Sequence, residues 1–301
     1  MGMMTQQTDE QLAAKAMEEG KSADAVRLLR PLAERESQYG LICLGWIYET
    51  GAQGAQDKAA AAIYYERAAA LGSADACLNL GWLMLEQGQE TQARSVFERG
   101  AALGKKECAT ALTKLAVLAD EQLAGEAVEN WAYDEAVRRL RPLVALDSEY
   151  ALRTLGWILE TGAIGTPDKA GARALYERAA SNGSAAACYD LGQLLLELKQ
   201  ENRARETYQE GARRGDLACM AEFGRMLVEG KGGPADPIAG RTWLESAAAS
   251  GHFFAQRTLL AMDESNAGSA LERLLIRGRI VALAVKAARV MGKNPRSEKL
   301  R

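Results

Sequence analysis

From Tyr39 to Thr50, Leu41, Leu44, Gly45 and Tyr48 fall on one face at helical spacing. The polar, glycine-rich stretch "GAQGAQD" then breaks the pattern, and a second helical run follows, "KAAAAIYYERAAALG". Glycine supplies the positive φ that such a reversal needs. Asp57, directly before the second run, is an N-cap candidate, and Gly72 stands where an αL residue ends a helix. The next helix is predicted to start at about Ser73. The pattern therefore predicts two antiparallel helices, with such pairs stacked in series. Gly45 costs about 1 kcal/mol against alanine in mid-helix, so a neighbouring helix is predicted to pass too close there for a Cβ.

The text recurs. "LGWIYETGAQGAQDKAAAAIYYERAAALG" from Leu44 returns from Leu155 as "LGWILETGAIGTPDKAGARALYERAASNG", an offset of 111 residues. "TDEQLAAKAMEEG" from Thr8 returns as "ADEQLAGEAVENW", and "DAVRLLRPLAERES" from Asp24 as "EAVRRLRPLVALDS". A shorter period lies inside each block: Leu44-Gly45 and Leu80-Gly81 are 36 apart, as are Leu155-Gly156 and Leu191-Gly192, and Phe223-Gly224 follows 32 later. Self-similarity at this spacing signals a solenoid whose stacked units share a core. The blocks are 8–118 and 119–229, with a further repeat over 223–262. From Lys105 to Leu118 the repeat is degraded, because Thr113 stands where the later copy has Gly224.

These residues carry a resemblance. Leu44, Gly45, Tyr48, Gly51, Gly54, Asp57, Lys58, Ala59, Tyr64, Tyr65, Ala68, Ala69 and Gly72 spell a pattern similar to the Sel1-like repeat, a relative of the tetratricopeptide repeat. The second block carries it from Leu155 to Gly183, and a third copy runs from Phe223 to Gly251. The units beginning at Leu80 and Leu191 lack the glycine loop and sit closer to plain tetratricopeptide repeats. The resemblance spans residues 9–262 and implies a right-handed α-solenoid of bacterial type. A flexible start over 1–8 and a basic C-terminal helix and tail over 263–301 complete the expected organisation. Secreted, disulfide-bearing members pair two cysteines about eight residues apart. Cys77 and Cys188 match the second of those positions, but Ala69 and Ala180 stand at the first.

Composition agrees with an all-α fold: alanine is abundant, aromatics are 6% and prolines number six. A content of 48% hydrophobic and 26% charged residues suits a buried core rather than disorder. No apolar run follows a basic start, so no secretory signal is predicted. No uncharged apolar stretch of about 18 residues predicts a membrane span. Gln6 stands where a myristoylation motif wants Ser or Thr. The default location is cytoplasmic. The five cysteines match no zinc spacing and read as buried thiols in a reducing compartment.

Catalytic chemistry finds little material. The single histidine, His252, follows a helix-ending glycine and reads as a loop or cap residue. Histidine-pair metal sites are excluded by that count. "GAQGAQD" is neither a phosphate loop nor a dinucleotide fingerprint. No catalytic residue, metal or cofactor is expected.

The resemblance implies that the first helix of each unit lines a concave face. The residue after each Leu-Gly glycine then forms a column of Trp46, Trp82, Trp157, Gln193 and Arg225. A second column, two before the glycine, holds Cys43, Asn79, Thr154, Asp190 and Glu222. Two readings stand: the tryptophans pack between units, or they anchor an extended peptide or partner helix, as tryptophan and arginine do at hot spots. A stacked sugar has less support. On the binding reading Asn79 and Arg153 hold backbone or carboxylate groups of the ligand.

Charge is uneven. Residues 270–301 hold nine basic and two acidic residues, against 28 and 38 in the remainder. Arg273, Arg277, Arg279, Lys286, Arg289 and Lys293 are among the nine. One face of this predicted helix carries Leu271, Leu274, Leu275, Val281 and Val285, another Ile276, Ile280, Leu283 and Met291. It caps the last repeat, lies on anionic lipid at the inner membrane, or docks a partner. The acidic body and the absence of stacking aromatics in the tail argue against nucleic acid. The expectation is a non-enzymatic adaptor binding another protein or peptide. The competing class is a membrane-peripheral accessory subunit of a bacterial polysaccharide or envelope assembly system, docked by the basic tail.

Overall fold

A computed structural model describes residues 2–293, with side chains described from 9 to 289. Arg296, Lys299 and Arg301, and the side chains of Met291 and Lys293, lie outside the described residues. Among the described residues the chain forms sixteen α-helices and no strand. It divides into two compact units, 1–119 and 120–301. The first unit holds α1 (Gly2–Glu18), α2 (Ser22–Glu34), α3 (Gln38–Thr50), α4 (Lys58–Ala70), α5 (Ala74–Glu86) and α6 (Glu90–Ala102). The division falls inside α7 (Lys106–Glu129). The second unit continues with α8 (Tyr133–Ala145), α9 (Glu149–Thr161), α10 (Lys169–Ser181), α11 (Ala185–Glu197) and α12 (Glu201–Arg213). It ends with α13 (Leu217–Glu229), α14 (Pro237–Ala249), α15 (Phe253–Asn266) and α16 (Ala270–Lys293). Helix α1 takes in residues 2–8, where the sequence predicts a flexible start.

Local chemistry sets the helix ends. Ser37, Ser73, Ser148, Ser184 and Asp216 each accept a backbone N–H three residues ahead, opening α3, α5, α9, α11 and α13. Asp57, Asp168 and Asp236 do the same for α4, α10 and α14. Gly51, Gly162 and Gly230 close α3, α9 and α13 in the left-handed region, at φ of 70°, 70° and 68°.

The mid-helix glycines explain how the pairs close. A Cβ on Gly45 would sit 2.6 Å from the Tyr65 ring, and one on Gly156 2.5 Å from the Tyr176 ring. Gly81 faces Phe97 and Gly192 faces Tyr208 in the same way. What comes too close for a Cβ is therefore the aromatic side chain of the paired helix. In the third copy Leu244 replaces the ring, and the helices approach further: a Cβ on Gly224 would sit 2.8 Å from the Gly240 carbonyl oxygen. Tyr65, Phe97, Tyr176 and Tyr208 are fully buried at the centres of these pairs.

The degraded stretch is a fusion. Gly230, which ends α13, has Ala119 as its counterpart 111 residues earlier. With no residue there suited to αL, the helix continues, and α7 runs for 24 residues. At the C-terminus α16 packs on α15, and Arg277 pairs with Glu264 at 2.6 Å. Ile276, Ile280 and Leu283 are half-buried and Ala287 is buried, whereas Leu271, Leu274, Leu275, Val281 and Val285 stay exposed.

Candidate interaction site

In the second unit a cavity of about 450 Å³ is lined from α7, α9, α10 and α11. Four of the residues expected to bind meet there, Arg153 and Trp157 from α9 and Asp190 and Gln193 from α11, with Thr154 of the second column beside them. Spacings of four on α9 and three on α11 place each pair on one helix face. The Ser148 cap at the start of α9 fixes where that face begins. Tyr150, Glu160, Tyr176 and Gly125 also line the cavity, and the sequence did not mark them. Tyr150, Glu160 and Tyr176 recur in the first block as Tyr39, Glu49 and Tyr65, so comparing the copies does not single them out; Gly125 alone differs, standing where the first block has Ala14. A Cβ at Gly125 would lie 2.9 Å from the Tyr150 hydroxyl, so the glycine leaves room for that hydroxyl.

The cavity carries charge in a defined arrangement. Arg153 Nε donates to Asp190 Oδ2 at 2.5 Å, and its guanidinium lies 4.0 Å from Glu149. Arg153 is thus held within the protein. Glu160 accepts a hydrogen bond from the Tyr176 hydroxyl at 2.8 Å. Burial raises the Glu160 carboxyl above its ordinary value, and Glu197 and Asp190 add to this against the pull of Tyr176 and Lys169. Burial, followed by the contact with Glu160, likewise raises the Tyr176 phenol.

The remaining expected residues occupy equivalent places. Trp46 lies on α3, and Asn79 and Trp82 lie on α5. Trp46, Trp82 and Trp157 are 45%, 44% and 41% exposed, so each ring has a packed side and an open side. Trp82 packs edge-on against Phe97 at 5.4 Å, and Trp157 sits 5.9 Å from Tyr133. Arg225 on α13 is clasped by Glu222 at 2.7 Å and Glu229 at 2.6 Å. Arg273, Arg277, Arg279, Lys286 and Arg289 stand exposed on α16.

His252 is buried, and its Nδ1 accepts the Ala255 N–H, which makes it the N-cap of α15. The cysteines are free thiols; Cys43 is half-buried and the other four are buried. Burial raises Cys43, Cys108, Cys188 and Cys219, which keeps these thiols protonated and poorly nucleophilic. Among the described residues no cluster of side chains fits a metal ion, and no helix is long and apolar enough to cross a membrane.

Capped antiparallel helix pairs, repeated in series and closed by glycine on aromatic, define a helical-repeat protein. The Sel1 repeat model matches residues 39–73, 74–104, 150–184, 185–216 and 217–252, more than half of the chain. The chain belongs to the Sel1 repeat family. A search of the curated proteins found no match. Among solved structures the fold is similar to a Sel1 repeat protein from Oxalobacter formigenes, at 24% identity and a TM-score of 0.63. That alignment covers 86% of this chain and 87% of the other. It is also similar to a protective antigen present in uropathogenic Escherichia coli strains, which displays an SLR fold. There the identity is 18% and the TM-score 0.60, over 98% of this chain and 73% of the other.

Proposed function

We propose that this protein is a non-enzymatic adaptor that binds an extended segment or helix of a partner protein. The binding face carries Trp46, Asn79 and Trp82 in the first block, and Arg153, Trp157, Asp190, Gln193 and Arg225 in the second. The observation that carries the reading is the repeated tryptophan, open on one side in each of three repeats and edging a cavity in the second unit. Sel1 and tetratricopeptide-like repeats generally mediate protein–protein interaction. Half-open aromatic rings that need little ordering on binding are favoured anchors.

The test is selection of peptides from a random display library on the intact protein, followed by titration against the triple variant Trp46→Ala, Trp82→Ala, Trp157→Ala. The selected peptides are expected to lose at least about tenfold in affinity. Equal binding to the variant, at unchanged helical content, refutes the groove.

One observation favours a second, membrane-peripheral reading in the cytoplasm. The apolar residues that α16 leaves exposed are flanked by Arg273, Arg277, Arg279 and Lys286. An apolar stripe between basic side chains suits an anionic lipid surface.

A further inference from the structure

We propose that the cavity of the second unit is a receptor for one cationic side chain, a guanidinium or primary ammonium, of the bound peptide. This rests on the groove reading above and specifies what one position of the ligand must be.

The charge inventory leads there. Two carboxylates, Glu160 and Asp190, line the cavity with one guanidinium, Arg153, which Asp190 already holds at 2.5 Å. Glu160 is half-buried, and it accepts a hydrogen bond from a neutral hydroxyl, that of Tyr176. A carboxylate withdrawn from water gains most from a cationic partner. Each alternative occupant fares worse. An anion would face both carboxylates while Arg153 is engaged. An apolar group would cover Glu160 and leave its charge without water or counter-charge.

The walls fit the same occupant. Trp157 and Tyr150 are both partly exposed at the cavity, and aromatic faces attract Arg and Lys head groups. A volume of about 450 Å³ falls within the range of small-ligand clefts. The first block shows what the second acquired. At the positions of Arg153, Asp190 and Gln193 it has Ile42, Asn79 and Trp82. Its carboxylate, Glu49, is retained, bonded to the Tyr65 hydroxyl at 2.6 Å. The change from Asn79 to Asp190 adds a negative charge, and Ile42 to Arg153 adds the cation that orients it. Trp82 to Gln193 removes a large side chain, and Ala14 to Gly125 gives the hydroxyl of the tyrosine that both blocks carry, Tyr39 and Tyr150, more room in the second.

The test uses the intact protein, with indole nitrogens labelled and signals assigned by Trp46→Phe and Trp157→Phe. The probes are the N-acetyl methylamides of arginine, leucine and glutamate. Arginine amide is expected to shift the Trp157 signal saturably and to leave Trp46 unmoved, with leucine and glutamate amides without effect at Trp157. Glu160→Gln, which keeps an acceptor for Tyr176, is expected to weaken the arginine titration several-fold. Arg153→Met, which frees Asp190, is expected to strengthen it. The opposite signs separate charge reading from damage to the fold, which would weaken both. Absence of a saturable shift, an equal response to leucine amide, or indifference to Glu160→Gln overturns the proposal. If library peptides bind through the tryptophans without a basic residue and ignore Glu160→Gln, the cation site fails and the groove stands. If arginine amide binds at Trp157 while library peptides ignore the triple variant, the groove fails instead.

Discussion

Tyr176 and Tyr208 do the same work, each covering the mid-helix glycine of its pair, but their hydroxyls differ. Tyr176 donates to Glu160, whereas the Tyr208 hydroxyl is buried with no hydrogen-bond partner among the described residues. The reason is one substitution: thirty-six residues after Glu160 the chain has Leu196. The first block resolves the same conflict by pairing Leu85 with Phe97. Tyr176→Phe is therefore expected to lose about 1 kcal/mol, and Tyr208→Phe to be neutral or stabilising, in urea titrations of both variants. Destabilisation by Tyr208→Phe as large as that by Tyr176→Phe contradicts this. Glu160 gives a pH signature. Burial, Glu197 and Asp190 raise it, against Tyr176 and Lys169, so the folded state prefers the protonated form. Its contribution to stability is present at low pH and is lost as pH rises through the raised folded value. Glu160→Gln should gain stability relative to the parent between pH 4 and pH 7; a relative loss over that interval rules this out. The same substitution is expected to weaken cation binding, the usual opposition of stability and function at a site.

At the scale of elements, the ladder of caps is the regularity that the sequence displayed best. Ser or Asp precedes each first helix at Ser37, Ser73, Ser148, Ser184 and Asp216, and His252 stands in the next place, 36 residues after Asp216. The imidazole takes over the role of a hydroxyl or carboxylate. His252→Ala should cost about 1 kcal/mol and lower the melting temperature, whereas His252→Ser or His252→Asp should restore it. Equal melting temperatures for the three variants contradict the cap. Helix pairs and turns were legible because capping residues, αL glycines and face periodicity act within a few residues of one another. The junction in α7 was legible only as a damaged repeat. What fuses the helix is the lack of a glycine at Ala119, a missing stop signal that leaves no positive mark.

For the whole molecule, the two apolar faces of α16 were readable from spacing, but only packing shows which of them stays open. Removing residues 270–301 tests the membrane reading. The intact protein is expected to sediment with vesicles containing phosphatidylserine and the truncated one to remain in solution. Equal behaviour of the two removes that reading. The binding face was half legible. The two columns beside the Leu-Gly glycines follow from repeat arithmetic, whereas the Arg153–Asp190 pairing joins residues 37 apart on different helices. Sequence alone presented both as hands extended to a ligand, and they hold each other. That pairing also bears on how such a chain can be rearranged. Arg153 belongs to the repeat 150–184 and Asp190 to the repeat 185–216, and Lys169 to Glu197 crosses the same junction at 2.9 Å. A recombination breakpoint at 184 would place Arg153 beside a foreign neighbour and strand its charge. Breakpoints at 146 and 216 would carry both ion pairs along intact, together with Arg178–Asp147 at 2.6 Å. The transferable cassette is therefore the doublet of repeats, and libraries that shuffle single repeats should yield folded chimaeras less often than those that shuffle pairs.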